Sequence, residues 1–288
     1  MELSIESYIL RERFGDDVGV RMIKDAGFNL VDMSYYWAKD NYDLLDDNYI
    51  ERSKDIRQLL DKIGLKCNQA HAAFNFGYGQ AMDETNKNYR DIVRSIISAS
   101  ILGAKHIVVH SIGYSKDGEF LFDKDYNIRF YRSFLPILEK NNIKIAVENL
   151  FFRDKEAAPY KGRLGSPKEL TDFVKELNSP YFVACVDVGH SAIVGVEPED
   201  FINGMDNNIL KCLHIQDGDY KEDRHLLPYM GEFKWDKVLK ALKDIGYDGE
   251  LTFEVWRFLH KAPKELTMEA LKYANSVGNY MIEYYKNI

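Results

Sequence analysis

Short apolar runs alternate with amphipathic stretches from one end of the chain to the other. The apolar runs fall at 3–8, 28–34, 65–71, 106–110, 143–149, 181–187, 209–216 and 249–255, and include FNLVDMS, HIVVH, IKIAVE, YFVACVD and ELTFEV. Near-continuous apolar runs of this length predict the doubly buried strands of a parallel sheet. Between them, apolar positions recur at helical spacing. Examples are Ile92, Ile96 and Ile97 in NYRDIVRSIISASILGA, Phe134, Ile137 and Leu138 in YRSFLPILEKNN, and Val238, Leu239 and Leu242 in WDKVLKALKDIGY, which stops at Gly246. Ser166-Pro167-Lys168-Glu169 predicts a helix start, with Ser as N-cap, Pro at the first helical position and Glu closing a capping box. Glu197-Pro198-Glu199-Asp200 predicts another, with acidic groups at the positive end of the helix dipole.

Eight strands in alternation with helices predict an α/β fold, and specifically a (β/α)₈ TIM barrel. An open doubly wound sheet would place a Gly-rich phosphate loop after its first strand, and none follows residues 3–8. The 288 residues suit one barrel domain spanning 1–288, since such barrels run to about 250 residues. The longer strand-to-helix loops are expected at 34–47, 71–83, 111–124, 150–166 and 217–233. All lie on the C-terminal face of the barrel, where such folds carry function.

Four of the runs end in metal-loving side chains: Glu148 after KIAV, Asp187 and then His190 after YFVACV, His214 after ILKCL, and Glu254 after ELTF. Glu148, Asp187, His214 and Glu254 are spaced by roughly 40, 27 and 40 residues, about one strand–helix unit per step. A carboxylate at the end of a buried strand is costly without a partner. One such residue is explained by a neighbouring Lys or Arg. Three on three strand ends would repel one another unless a cation or protons stand between them. A Glu, Asp, His, Glu set suits Mn²⁺, Zn²⁺ or Mg²⁺. His190 is expected in a turn just beyond its strand, permitted by Gly189. His71 and His110 also end strands, whereas His106 begins one and is expected to be structural, at the bottom of the barrel.

Composition narrows the classes. The net charge of −8 argues against a protein that works by neutralising phosphates, so no nucleic-acid partner is expected. Cys67, Cys185 and Cys212 are odd in number and sit within predicted strands, which points to buried thiols in a reducing compartment. No run approaches the ~18 apolar residues of a membrane span. The N-terminus lacks a basic region followed by an apolar core. A cytoplasmic protein without membrane partners is expected, and a homo-oligomer is compatible with the sequence.

Residues 65–255 resemble the sugar phosphate isomerase/epimerase group of xylose isomerase-like barrels. That group includes ketose 3-epimerases, hydroxypyruvate isomerase, inosose dehydratase and 3-dehydroshikimate dehydratase, and is related to endonuclease IV. The resemblance lies in Val147-Glu148-Asn149, Asp187-Val188-Gly189-His190, His214-Ile215-Gln216-Asp217, Asp223-Arg224-His225-Leu226-Leu227-Pro228 ahead of Trp235, and Phe253-Glu254. It implies one divalent metal ion held by Glu148, Asp187, His214 and Glu254, with Glu148 and Glu254 as the acid/base pair of an isomerase or epimerase. The implied substrate is a sugar or polyol-derived ketone, on which His190, His110 and His71 would act as binding groups. Trp37, in Tyr35-Tyr36-Trp37, and Phe74 would pack on its carbon skeleton. A dehydratase would use the same site. Endonuclease IV, a zinc phosphodiesterase, has nine ligands, and the matching positions here are His71, His110, Glu148, Asp187, His190, His214, Asp223, His225 and Glu254. Asp223 and His225 are alternatively expected to brace their loop by hydrogen bonds. The sequence departs from the group after Pro228, where Tyr229-Met230-Gly231-Glu232 replaces the usual Gly-Glu-Gly. That loop is expected to be bulkier and more apolar.

Overall fold

In the computed structural model, which describes residues 1–39, 42–152 and 160–288, eight strands stand where the apolar runs predict them. They are β1 (Leu3–Glu6), β2 (Leu30–Ser34), β3 (Lys66–His71), β4 (His106–Val109), β5 (Lys144–Glu148), β6 (Phe182–Asp187), β7 (Leu210–His214) and β8 (Leu251–Phe253). All pair in parallel in chain order, and β1 pairs with β8 through Leu3 opposite Leu251 and Ile5 opposite Phe253. A parallel bridge from Ile215 to Phe253 closes the ring between β7 and β8. The expected TIM barrel is therefore the fold.

Strand parity decides what faces the barrel axis. Val108, Ala146, Val183, Cys185 and Cys212 form a small buried cluster of their own, apart from the large core between strands and helices. Side chains two positions apart on a strand share a face. The parity that buries Ala146, Cys185 and Cys212 therefore carries Glu148, Asp187 and His214 into the mouth above them. All three cysteines are free and buried, as expected.

The predicted helix faces pack inward. Ile92, Ile96, Phe134, Leu138, Val238, Leu239 and Leu242 are buried, while Ile97 and Ile137 are only partly covered. YRSFLPILEKNN is not one helix. It spans the end of the helix Lys124–Ser133 and the helix Leu135–Asn141, with the break at Phe134. Pro136 has no N–H and fits only the first turn of a helix, so a new helix starts there. The Ser166 capping box forms in full at the helix Pro167–Leu177, and Glu197 precedes the helix Pro198–Asn203.

Two predicted loops carry small hairpins. Tyr114–Lys116 pairs with Glu119–Leu121, and Leu150–Phe151 pairs with Gly162–Arg163. Residues 40, 41 and 153–159 of the predicted loops 34–47 and 150–166 lie outside the described residues. Among the described residues no helix is long and apolar enough to cross a membrane.

Replacing Ser166 with Ala removes one half of the capping box and should lower stability by about 1 kcal/mol. Urea unfolding should show a lower midpoint at an unchanged slope. An unchanged midpoint would mean the box contributes nothing.

Candidate metal centre and active-site cleft

The tops of β5 to β8 bring Glu148, Asp187, His214 and Glu254 together, with one ligand atom from each all within 4.8 Å of one another. All four residues are buried. His214 Nδ1 faces the cluster, 2.6 Å from Glu148 Oε1 and 3.7 Å from Glu254 Oε2. His214 Nε2 points the other way, to Asp32 Oδ2 at 3.6 Å. Gln69 Nε2 donates to that same Asp32 oxygen at 2.7 Å. The group at the far nitrogen of a ligand histidine fixes its tautomer and ring plane. Asp32 is placed to do this for His214.

Burial disfavours charge on every carboxylate here. For Glu148, burial is outweighed by the His214 charge and by hydrogen bonds from His110 and His214, which hold its carboxyl well below the usual range. Glu254 goes the other way. Burial drives it well above that range, Glu148 and Asp187 add to the effect, and His214 and His225 only partly oppose it. Burial works against a charged His214, but the surrounding acidic groups Cys185, Glu254 and Glu148 keep it well above the ordinary imidazole value. Across the mouth from β5, burial raises Glu6 to about 7.

The donor set fits a divalent cation. Three carboxylates and one imidazole converge in a buried space, and the nearby Asp32 Oδ1 is buried with no hydrogen-bond partner. A bound cation relieves the mutual repulsion that such a cluster otherwise carries.

A second set lies beside the first. His190, Asp223 and His225 offer ligand atoms within 4.8 Å of one another. His190 Nδ1 bonds the Asn149 carbonyl, which leaves Nε2 facing Asp223 Oδ1 at 3.7 Å. His225 Nδ1 bonds the Glu254 carbonyl and its Nε2 meets Asp223 Oδ2 at 3.0 Å. Burial opposes charge on His225, yet Asp223 and Glu254 raise it to about 10. Gln216 joins the two sets, its Nε2 donating to Asp187 and Asp223 while its Oε1 accepts from the His225 backbone.

His71, Glu148 and His214 make a third such grouping. His71 Nε2 lies 3.0 Å from His110 Nε2, which is itself 2.9 Å from Glu148 Oε2. Burial lowers the pKa of both imidazoles, strongly for His71. Both are therefore neutral at pH 7. His106 stands apart at the start of its strand, lowered by burial to about 4.

One local expectation needs correction. His190 is not in a turn. Asp187 caps a short helix, Val188–Ile193, and accepts the His190 backbone N–H at 2.7 Å. Gly189 takes no positive φ. It is needed for space, because a Cβ there would stand 2.5 Å from Gln216 Cδ. The loop after Pro228 does present bulky side chains, but Tyr229 and Met230 are about half exposed and neither lines the cleft. Tyr229 has φ +71°, a conformation that favours glycine. Asp217 anchors this loop by accepting from Trp235 Nε1 at 2.8 Å and from the Phe233 N–H.

The cleft above the ligands is lined by Tyr36, Trp37, Phe74 and Trp256 together with His71, His110, His190 and His225. Trp37 is 44% exposed, and the Phe74 ring stacks on His110 at 4.8 Å. Both expected aromatics are thus at the mouth. The sequence reading missed Tyr36, Trp256, Asp32, Glu6, Gln69 and Gln216. Asp32 in LVDMS and Glu6 in LSIE carry a signal of the same kind as Glu148, a carboxylate in a buried strand, with Glu6 closing its run and Asp32 interrupting one.

Among curated proteins, an uncharacterized protein of Methanocaldococcus jannaschii is 29% identical over 195 residues, 64% of this chain and 62% of that protein. An uncharacterized protein of Sinorhizobium fredii is 25% identical over 276 residues, 84% of this chain and 83% of its own length. Among solved structures, a D-tagatose 3-epimerase-like protein superposes with a TM-score of 0.71 at 22% identity, covering 98% of this chain and 100% of that one. The IolI protein with a bound zinc atom gives 0.75 at 16% identity, covering 97% and 99%. L-ribulose 3-epimerase gives 0.71 at 16% identity, covering 99% and 96%. These structures share the fold. The model of the xylose isomerase-like TIM barrel family matches residues 20–277, and the chain belongs to that family.

Proposed function

We propose that the protein is a divalent-metal-dependent isomerase or epimerase acting on a ketose or polyol-derived ketone. The observation that supports this most is the convergence of Glu148, Asp187, His214 and Glu254 at the floor of a cleft walled by aromatics and imidazoles. Mn²⁺, Zn²⁺ or Mg²⁺ held by these four side chains would polarise a substrate carbonyl and so acidify the neighbouring C–H. Glu148 would take the proton from that carbon, and Glu254 would return one from the other side. His190 and His110 hold substrate hydroxyls, His71 sits behind His110, and Trp37 and Phe74 cover the carbon skeleton. Asp32 and Gln69 keep His214 Nδ1 turned to the cation.

The outer set favours a second reading. His190, Asp223 and His225, with His71 and His110 beside Glu148, are ligand types that would hold further zinc ions for phosphodiester hydrolysis. Elemental analysis of the purified chain separates the two. About one metal per chain, lost in a Glu148→Ala and Asp187→Ala double variant, is expected for the four-residue cage. Three per chain would displace the isomerase reading in favour of the hydrolytic one.

Proton transfer is checked by NMR in D₂O with a panel of free and phosphorylated ketoses, including D-fructose, D-tagatose and L-ribulose. Deuterium should enter next to the carbonyl without loss of water. Loss of water would reassign the reaction to a dehydratase. Glu148→Gln and Glu254→Gln should each slow exchange by about 10²–10⁴ while keeping the native circular dichroism. Ordinary turnover in either variant would remove that residue from the acid/base pair.

A further inference from the structure

A second cavity of about 220 Å³ lies on the far side of His110 and Phe74, which line both it and the cleft. Its remaining polar lining is Arg163 and Ser111. Arg163 sits in the hairpin that leaves the top of β5, directly opposite Leu150. Its side chain is largely enclosed, and Nε is wholly buried without a hydrogen-bond partner. Among the described residues the guanidinium makes no hydrogen bond and no ion pair at all. Ser111 Oγ is likewise buried with no partner.

The cavity wall is held in place. Asn127, fully buried, clamps the segment beside Ser111 by accepting the Ile112 N–H and donating to the Ile112 carbonyl at 2.9 Å. Gly113 leaves room for the guanidinium, since a Cβ there would lie 2.6 Å from Arg163 Nη1. The Phe152 ring supports the guanidinium from below at 5.4 Å. Burial pulls Arg163 down to about 10, with Tyr131 and Glu148 opposing, so it is charged at neutral pH. A charged guanidinium whose Nε is buried with no acceptor among the described residues is costly to fold. An oxyanion is the ligand whose geometry matches it, through paired N–H···O bonds.

We propose that Arg163 and Ser111 form an oxyanion subsite that binds a phosphate or carboxylate group at the non-reacting end of the substrate. This rests on the proton-transfer reading of the cleft and narrows its substrate to a sugar-derived ketone with an anionic group. The reacting carbons lie over the Glu148 cage. The chain of the substrate passes the His110–Phe74 wall, and its anionic end enters the second cavity.

Inorganic phosphate is the probe. It is titrated into the full-length protein as purified, by calorimetry and by following the Arg side-chain Nε–H signals in ¹⁵N NMR. Wild type should bind phosphate with a shift of one Arg Nε–H signal. Arg163→Gln should weaken binding about ten- to a hundredfold, and Ser111→Ala by a smaller factor. Phosphate held by a metal in the cage would survive both changes, so equal affinity in wild type and Arg163→Gln overturns the proposal. Absence of any Arg Nε–H shift in wild type also overturns it, even if Arg163→Gln fails to fold. Competition by acetate at similar concentration assigns a carboxylate-bearing substrate, and indifference to acetate assigns a phosphorylated one. No turnover is involved, so failure here leaves the exchange assay to stand or fall separately.

Discussion

The rest of this molecule depends on one constraint, the burial of several carboxylates within 4.8 Å of a shared imidazole at the top of a closed barrel. Parallel strands of a small barrel alternate between core and axis, so a carboxylate two residues above an axial Ala or Cys has no route back to solvent. The repulsion this creates must be met locally. His214 meets part of it with Glu148, while burial and the neighbouring Glu148 and Asp187 push the Glu254 carboxyl upward. The remainder is a standing preference for a cation. The cage is thus a consequence of strand register as much as of residue choice: Asp187 stands opposite His214, and Cys185 opposite Glu148.

Behind the ligands, other side chains hold orientation rather than charge. Asp32 and Gln69 address the far side of His214, and Gln216 spans Asp187 and Asp223. Gly189 is where packing limits the sequence most tightly, because any side chain there would displace the Gln216 amide that links the two ligand sets. The short helix capped by Asp187 turns His190 inward. A cap and a candidate ligand are here the same residue. A change at Asp187 would therefore disturb both the inner cage and, through His190, the outer set.

All eight strands were legible because doubly buried strands leave an unbroken apolar signature, and the four cage residues because a charge at the end of such a run is expensive. The helix break at Phe134 was masked by an apolar face that continues through Pro136 in the same phase. Asp32 and Glu6 carried a signal of the same kind as Glu148, but on strands whose apolar runs are short and interrupted by Ser4 and Asp32 itself. The bulk of the Tyr229 loop was visible in sequence, but its direction was not: the Tyr229 ring packs against Trp235 and Tyr280 rather than lining the cleft. Arg163 was the least legible. Its significance lies in having no hydrogen-bond acceptor among the described residues, and that emerges only when the hairpin, Gly113 and Phe152 are placed together.

The two cavities at the mouth have opposite electrostatic character and share a single wall. On one side stand Glu148, Asp187 and Glu254, and on the other Arg163, which has no acidic partner among the described residues. If the guanidinium reached the carboxylates, each would neutralise the other and neither would be left for a ligand. What separates them is His110, which burial keeps uncharged, with Phe74 stacked flat upon it. A neutral imidazole beside an apolar ring offers neither charge a bridge, and Phe152 and Gly113 fix the guanidinium on its own side. On the proposed reading the separation gives the cleft a direction: a molecule with a ketone at one end and an oxyanion at the other would fit it in one orientation. That orientation would present the C–H beside the carbonyl to Glu148 and Glu254, the proposed acid/base pair, with part of the positional entropy already lost once the anion is seated.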